Sequence, residues 1–292
     1  MPACPRAEPA LPLETELKLR IAPDAAPAIA RHSAVKAVRR GRARTVRLVS
    51  TYYDTDDGAL AHAGIALRLR RDGRRWVQTV KGPATVPQAG GLAARAEFEW
   101  PVAGRALDPR RFATTPYRRI LGRAERQGLA PRFTTDFART TIPLAFADST
   151  MAHLCVDLGE VRTDDGGPLV RAPVHEIELE LEAGDPIRLF DLAHALAADL
   201  PLAFEPASKA ERGHALRHPP VTAPVRAEDA DLPGKCTAAA AFAAFIRASL
   251  AQIERNAHGV VAGDDPEWIH QMRIGVRRLR ACVSLALSLI HI

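Results

Sequence analysis

Lysine and cysteine are scarce in this chain, and their scarcity bears on which partners and which kinds of site can be expected. Five of the 40 basic residues are lysine, so 35 are arginine, and 34 acidic residues leave a formal net charge of +6. An arginine excess of this size is typical of biased codon usage, so the charge does not predict a nucleic-acid partner, and none is expected. The four cysteines (Cys4, Cys155, Cys236 and Cys282) are isolated, which argues against a zinc site or a disulfide framework and favours a reducing cytosol.

The signals typical of membrane insertion and of several enzyme classes are also missing. The N-terminus has no apolar segment resembling a secretory signal, and the apolar stretch at 281–292 is too short to span a bilayer. No serine or cysteine has a recognisable base partner, and no glycine-rich loop is followed by Lys-Ser or Lys-Thr. We therefore expect a cytoplasmic protein with no membrane partner, no covalent catalysis and no P-loop.

Hydrophobic periodicity divides the chain into a β-rich part, a linker and a helical part. Period-two segments predict eight strands, near 13–21, 46–53, 65–71, 75–81, 94–102, 133–142, 152–158 and 173–182. Helical patterns intervene near 25–39, 116–128 and 186–199. We predict a first domain over 1–213, a linker over 214–234 and a helical domain over 235–292. The last helix has no stop signal, so we expect the second domain to be incomplete.

The predicted strands carry charged side chains on one face and apolar side chains on the other. On the first strand, Glu14, Glu16 and Lys18 share a face. The same alternation recurs on later strands, at Arg68 and Arg70, at Arg95, Glu97 and Glu99, at Asp157, and at Glu176, Glu178 and Glu180. A one-sided sheet with a solvated face is the simpler interpretation. Repeats of one charge sign are unfavourable without counter-charges, however, and eight strands suit closure into a barrel.

A closed barrel with these charges inside would suit one class of ligand. Arginine and lysine bind phosphate oxygens, and clustered carboxylates bind a hard divalent cation. A phosphate chain bridged by such a cation needs both, whereas a nucleic-acid groove needs the basic residues alone. Lys18, Lys81 and Lys209 each lie in a charged segment, where arginine does not freely replace a compact ammonium. The apolar outer faces of such a barrel would require the intervening helices as cover.

Nine short motifs follow one another between residues 13 and 213 and together resemble a known family. They are Leu13-Glu14-Thr15-Glu16-Leu17-Lys18, Tyr52-Tyr53-Asp54-Thr55, Arg68-Leu69-Arg70, Thr79-Val80-Lys81-Gly82, Arg95-Ala96-Glu97, Thr135-Asp136-Phe137-Ala138-Arg139, Val156-Asp157-Leu158-Gly159-Glu160-Val161, Glu176-Ile177-Glu178-Leu179-Glu180-Leu181 and Ser208-Lys209-Ala210-Glu211-Arg212-Gly213. In this order they resemble the CYTH superfamily, the triphosphate tunnel metalloenzymes. The resemblance implies an α+β fold: an eight-stranded antiparallel β-barrel tunnel with covering helices, followed here by a partial all-α segment.

The resemblance also implies roles for the charged side chains of these motifs. The implied ligands of Mg²⁺ or Mn²⁺ are Glu14, Glu16, Glu97, Asp157, Glu176 and Glu178. The implied phosphate-binding residues are Lys18, Arg68, Arg70, Lys81, Arg139 and Lys209. Glu16, Lys18, Arg68 and Arg70 are the implied catalytic residues. Arg132 competes with Arg139 for one position, and we favour Arg139 because it lies within a strand motif. Whether Glu180 binds metal stays open.

The last predicted helix carries two stripes at helical spacing. The apolar stripe consists of Ile269, Met272, Val276, Leu279 and Val283. The basic stripe consists of His270, Arg273, Arg277 and Arg280. A solvated basic face is the simpler interpretation of the second stripe. The segment also resembles the opening of a CHAD domain, a helical module associated with polyphosphate, so the four basic-stripe residues are candidate polyphosphate ligands.

The order of the two segments resembles bacterial CYTH–CHAD proteins and favours inorganic triphosphate as the substrate. We expect metal-dependent hydrolysis of triphosphate to pyrophosphate and phosphate. Three alternatives stay open: a non-catalytic polyphosphate-binding or scaffolding protein, a thiamine triphosphatase, and a class IV adenylyl cyclase. The number of carboxylates argues against the first alternative, because binding alone would need fewer of them.

Overall fold

The computed structural model describes residues 11–84, 92–164, 166–217, 223–230, 232, 234–263 and 265–290. Cys4 and parts of the predicted linker, 218–222 among them, lie outside the described residues. The chain divides into two compact units. The first consists of Met1–Val86 and Ala93–His218, and the second of Pro87–Leu92 and Pro219–Ile292.

The first unit is built around a closed antiparallel β-barrel. Its strands are β1 (Leu13–Arg20), β2 (Arg44–Asp54), β3 (Ala66–Asp72), β4 (Arg75–Ala84), β5 (Leu92–Val102), β6 (Ala130–Ala145), β7 (Met151–Thr163), β8 (Arg171–Ala183) and β9 (Ala203–Phe204). The sheet order is β5-β4-β3-β2-β6-β7-β8-β1-β9, and β5 also pairs with β1. Because that last pairing closes the ring, eight strands form the barrel and β9 is an added edge strand. The predicted eight-stranded barrel is confirmed.

Side-chain alternation places the charges inside this barrel and the apolar side chains outside. On β3, Arg68 and Arg70 line the interior, while Leu67 and Leu69 are buried on the outer face. Short helices cover that outer face, as the apolar pattern requires. One covering cluster packs barrel residues against α3 (Ala59–His62) and α4 (Arg118–Gln127) and contains Leu60, Ile65, Leu67, Val80, Phe112, Leu121 and Ala124.

Three further helical segments of the first unit follow β1 and β8. The helical pattern near 25–39 corresponds to two helices, α1 (Ala26–Arg31) and α2 (Ser33–Val38), rather than one. His32 lies between them with an extended ψ of 140°, and its Nδ1 accepts a hydrogen bond from the backbone of Ala34. The third segment, α5 (Ile187–Ala197), contacts α2.

A short helix that the sequence pattern does not predict, α6 (Lys209–Ala215), closes the first unit. It begins with a capping box, in which the Ser208 hydroxyl accepts from the backbone of Glu211 and the Glu211 carboxylate accepts from the backbone of Ser208. Ala210 packs against an apolar cluster of barrel residues that includes Phe133 and Phe137. The capping box and this packing orient the first turn of α6 towards the interior of the barrel.

The second unit contains two long helices, α7 (Ala238–Ala262) and α8 (Glu267–Ile290), which pack against each other. A Cβ at Gly259 of α7 would overlap the ring of Trp268, so glycine is what lets the indole lie against α7. The side-chain amide of Gln252 donates to the side-chain and backbone oxygens of Gln271, both at 3.2 Å. In contrast, Ile269 and Val276 of the predicted apolar stripe are exposed. None of the helices in the described residues combines the length and apolar character that crossing a membrane requires.

Candidate active site

The interior of the barrel holds a cavity of about 240 Å³ that is crowded with charge. Among the described residues, seven basic side chains line it: Lys18, Arg68, Arg70, Lys81, Arg95, Arg139 and Lys209. Six carboxylates line it as well: Glu14, Glu16, Glu97, Glu99, Glu178 and Glu180. The cavity therefore has a formal charge close to neutrality, with opposite charges distributed over different strands.

Three of these carboxylates form an acidic cluster on β1 and β8, which we call the open cluster: Glu14, Glu16 and Glu180. One ligand oxygen from each lies within 4.8 Å of the others. Register explains the contact, because Glu16 of β1 lies opposite Glu180 of β8. Lys18 Nζ donates to Glu16 Oε1 at 3.2 Å, and Lys81 pairs with Glu14. The donors are carboxylate oxygens, which Mg²⁺ and Mn²⁺ prefer, so the cluster fits such an ion.

The electrostatics of the open cluster follow from burial and from repulsion between carboxylates. Burial raises the pKa of Glu180 to about 7; nearby Arg139 lowers it, and Glu178 adds to the rise. Burial alone would lower the pKa of Lys81, but Glu14 and the neighbouring Glu97 raise it above its usual value. Lys81 thus stays protonated. A further positive charge, such as that of a bound cation, would stabilise the ionised carboxylates around it.

A second group of three carboxylates, Asp157, Glu176 and Glu178, is buried and already paired; we call it the paired cluster. Lys209 Nζ lies 2.7 Å from Asp157 Oδ2 and 2.9 Å from Glu178 Oε1, and it also pairs with Glu176. Arg139 donates to both oxygens of Asp157 at 2.8 and 2.7 Å. Protein cations therefore already occupy the acceptor positions of this cluster.

Burial raises the pKa of Glu176, against the effect of Lys209, whereas the pKa values of Glu178 and Lys209 favour their charged forms. Burial alone would raise the pKa of Glu178, but Lys209, Arg139 and Lys18 together hold it well below its usual range. For Lys209 the signs are reversed: burial would lower its pKa, and the surrounding Asp157 and Glu176 raise it well above the usual value. Both partners are stabilised in their charged forms.

Opposite the carboxylates of β1 and β8, the two arginines of β3 form a wall with β5. Arg68 Nη2 lies 3.4 Å from Glu97 Oε1, and Arg70 Nη2 lies 3.1 Å from Glu99 Oε1. Thr79 Oγ1 donates to Glu99 at 2.9 Å. Burial and the neighbouring Arg68 lower the pKa of Arg70, while the pKa of Arg68 is raised by its anionic surroundings against the effect of burial.

The structure brings most of the sequence-predicted site residues together. All six implied phosphate-binding residues line the cavity. Of the implied metal ligands, Glu14, Glu16, Glu97 and Glu178 line it, whereas Asp157 and Glu176 belong to the paired cluster and are not among its lining residues. Arg132 lies elsewhere: its Nε donates to the backbone oxygen of Asp54 at 3.2 Å, and its guanidinium pairs with Asp56.

Sequence reasoning left three charged site residues without a role. Glu99 and Arg95 line the cavity, and Arg212 pairs with Glu176. The signal for Glu99 and Arg95 was present, since both share the face of Glu97 on β5. Arg212 follows Lys209 by three residues, and such positions share one helix face. Glu180, whose role was left open, is a member of the open cluster.

In the second unit, all four residues of the basic stripe lie along one groove of about 620 Å³ on α8. His270, Arg273, Arg277 and Arg280 line this groove together with apolar side chains that include Ile269. Spacing along a single helix accounts for their proximity, as the sequence pattern indicates.

The first unit is an antiparallel barrel, and its interior combines carboxylates with arginine and lysine. It therefore belongs to the class of barrel proteins that have a polar, charge-balanced cavity. The family model of the CYTH domain matches residues 12–214, and the chain belongs to this family. The model of the CHAD domain matches residues 244–290.

The chain is similar to several individual proteins. An inorganic triphosphatase of Haemophilus influenzae is 29% identical over 205 residues, which are 70% of this chain and 54% of that protein. The chain thus spans about half the length of this curated relative. A putative adenylyl cyclase from Hippeastrum, described as having a dominant triphosphatase activity, is 19% identical over 70% of this chain and 95% of its own, with a TM-score of 0.46. A putative adenylate cyclase from Bacillus halodurans is 15% identical over 69% of this chain and 97% of its own, with a TM-score of 0.43.

Proposed function

We propose that the chain hydrolyses inorganic triphosphate to pyrophosphate and phosphate inside the barrel, with Mg²⁺ or Mn²⁺ as the cofactor. The observation that carries this proposal is the open cluster, three carboxylates within reach of one ion, beside the basic residues of the same cavity. The relative from Haemophilus influenzae, an inorganic triphosphatase, supports this choice of substrate. The location of the reaction in the cytoplasm stays a prediction.

Charge balance is the reason that a divalent ion is needed. Seven basic side chains face six carboxylates in the described lining of the cavity. Triphosphate carries roughly four to five negative charges near neutral pH. Without an added cation, the six carboxylates of the cavity would offset most of the attraction between the substrate and the seven basic residues. A divalent ion held by Glu14, Glu16 and Glu180 would reduce that repulsion and would supply Lewis-acid stabilisation of charge on phosphate oxygens.

Different side chains of the cavity would bind the metal ion, bind the substrate and stabilise the leaving group. Glu14, Glu16 and Glu180 would hold the ion. Lys18, Lys81 and Arg139 would bind phosphate oxygens near it. Arg68 and Arg70 would stabilise the charge that moves onto the leaving group, the dominant requirement in phosphoryl transfer. The paired cluster has a different part in this scheme: with its acceptors already bonded, it holds Lys209 in place at the cavity surface.

The test is phosphate release from triphosphate, ATP and thiamine triphosphate in the presence of Mg²⁺, Mn²⁺ or EDTA. We expect triphosphate to be hydrolysed fastest, and EDTA to abolish the reaction. Tight binding of triphosphate without turnover under either metal would instead support a non-catalytic polyphosphate-binding protein. Preferred hydrolysis of thiamine triphosphate, or formation of a cyclic product from ATP, would contradict the choice of substrate.

A variant of the open cluster tests in the same assay whether Glu16 belongs to the site. Glu16→Gln removes one charged ligand but keeps the shape of the side chain, so kcat should fall by about 100-fold or more while triphosphate still binds to the basic residues. Glu160→Gln is the matched control, because Glu160 pairs with Arg171 away from the cavity. Unchanged activity of the Glu16 variant would exclude Glu16 from the site.

We also propose that the basic stripe of α8 binds polyphosphate. The support is its placement, since His270, Arg273, Arg277 and Arg280 line one groove and present their charges together. Guanidinium groups bind phosphate oxygens with two parallel hydrogen bonds, which suits an extended chain of phosphates.

A further inference from the structure

Ser50 lines the cavity but has no role in the site described so far. It is on the inner face of β2, directly opposite Arg70 of β3 on one side and Thr135 of β6 on the other. Its residue is 1% exposed, and it lines the cavity. Within the described parts of the chain, the hydroxyl of Ser50 has no hydrogen-bond partner.

Threonine hydroxyls on the outer face of the same strand do have hydrogen-bond partners. Thr51 bonds to Thr134 across β2 and β6 at 3.2 Å, and Thr45 bonds to Thr140 at 2.8 Å. Buried hydroxyls are normally bonded in this way, because an unpaired one loses its hydrogen bonds to water without replacement. On the inner face, the hydroxyls of Ser50 and of Thr135 opposite it are both buried without a partner in the described ranges, but of the two only Ser50 lines the cavity, where a ligand can supply the missing partner.

Two arginines that line the same cavity also have donor groups without partners in the described part of the chain. Arg68 and Arg70 use their Nη2 atoms to bind Glu97 and Glu99. Their Nε atoms are buried and have no hydrogen-bond partner among the described residues. Nε is one of the donors of the guanidinium fork, which recognises oxyanions. The hydroxyl of Ser50 and the Nε–H groups of Arg68 and Arg70 thus lie on neighbouring strands, and none of the three has a hydrogen-bond partner among the described residues.

This group of donors faces the open cluster across the barrel. In the ring of eight strands, β2 is separated from β1 and β8 by β6 and β7 in one direction and by β3, β4 and β5 in the other. A triphosphate between these walls would turn some of its oxygens towards the carboxylates and their ion. Its other non-bridging oxygens would turn towards the donors of β2 and β3.

We propose that the hydroxyl of Ser50, together with the Nε–H groups of Arg68 and Arg70, binds a non-bridging oxygen of the substrate on the wall opposite the metal-binding carboxylates. The proposal rests on the proposed function for the identity of the substrate. Ser50 is then a phosphate-recognition residue that contacts the substrate and not the ion. Its loss should weaken substrate binding and leave the requirement for metal as it is.

The test compares Ser50→Ala, which deletes the hydroxyl, with Ser50→Thr, which keeps it, in the full chain. Binding of inorganic triphosphate with Mg²⁺ is measured by titration calorimetry, and KM and kcat are measured in parallel. We expect Ser50→Ala to raise Kd and KM about tenfold, the effect of one lost hydrogen bond to a charged acceptor, while the Mg²⁺ concentration for half-maximal rate stays the same. Ser50→Thr should remain within about threefold of the parent chain.

Thermal unfolding without ligand separates this role from a structural one. Alanine removes an unpaired hydroxyl, so Ser50→Ala should unfold at the same temperature as the parent chain or higher. Thr51→Ala is the matched control: it deletes a partnered hydroxyl one residue away on the outer face, should lower the unfolding temperature, and should leave the affinity for triphosphate unchanged.

The outcomes distinguish the two proposals. A Kd for Ser50→Ala within twofold of the parent value, or an equal loss of affinity in Ser50→Thr, would overturn the role of Ser50. Triphosphate binding without hydrolysis in the parent chain would overturn the proposed enzyme, while the two Ser50 variants would still decide the binding contact. Failure of the parent chain to bind triphosphate at all would overturn both.

Discussion

Lys209 illustrates at the scale of one residue how a buried cation can be essential to the fold as well as to the site. It is 7% exposed and lies among Asp157, Glu176 and Glu178, which are themselves buried. Lys209→Met keeps the volume but leaves buried carboxylates without their main counter-charge, so the free energy of unfolding should fall by about 3 kcal/mol. Chemical denaturation followed by circular dichroism measures the change.

Lys36→Met is the control for this substitution. Lys36 is exposed in α2, and its loss should change the free energy of unfolding by less than about 0.5 kcal/mol. If Lys209→Met were as stable as the control, Arg139 and Arg212 together would suffice to neutralise the paired cluster, contrary to the geometry described above.

Individual site residues could be predicted to a useful extent, but their groupings could not. The scarcity of lysine pointed to Lys18, Lys81 and Lys209, and all three line the cavity. Alternation along each strand predicted which side chains face inward. The grouping of acids depends on register: Glu16 lies opposite Glu180, and Lys18 lies opposite Glu178. No pattern within one strand contains that information, because it is set by pairing between segments far apart in the chain.

At the scale of elements, α6 depends on a glycine that lets it approach the barrel. A Cβ at Gly213 would overlap the ring of Phe133. Gly213→Ala should therefore lower the free energy of unfolding by about 1–3 kcal/mol through overpacking. Since Lys209 lies one helical turn earlier, we also expect triphosphate binding to weaken. Thermal unfolding and calorimetric titration measure the two effects.

A glycine in another helix provides a control, for which the expected change in the free energy of unfolding has the opposite sign. Gly122 lies within α4, and the nearest atom to an added Cβ is Arg126 Nη1 at 3.7 Å, an ordinary contact. Gly122→Ala should raise the free energy of unfolding by about 0.5–1 kcal/mol, because alanine restricts the unfolded backbone and favours the helix. A stabilising Gly213→Ala would show that α6 does not need its close contact with Phe133.

The elements that sequence reasoning missed share a physical cause. The helix α6 has seven residues, too few to show a helical period, and its start is encoded by a capping box. The break between α1 and α2 depends on the backbone of His32, whose ψ of 140° interrupts an otherwise helical pattern. By contrast, each of the eight barrel strands is long enough for its two-residue period to be recognised, and all eight were predicted.

At the scale of the whole molecule, all the described residues that line the barrel cavity belong to the first unit. The lining residues extend from Glu14 to Ala210, and the described core clusters of the barrel end at Leu216. The groove with the basic stripe belongs to the second unit. The two proposed activities should therefore be separable by shortening the chain at the boundary between the units.

We predict that a chain ending at residue 218 hydrolyses triphosphate with kcat/KM within about twofold of the full chain, because no residue of its cavity is removed. The same chain should lose the salt-sensitive binding of long-chain polyphosphate that we assign to His270, Arg273, Arg277 and Arg280. Phosphate release and fluorescence anisotropy with labelled polyphosphate measure the two activities. Loss of hydrolysis from a shortened chain that still folds would mean that the second unit contributes to the active site. Undiminished polyphosphate binding would instead place that site in the barrel, where the open cluster and its ion already favour phosphate oxygens.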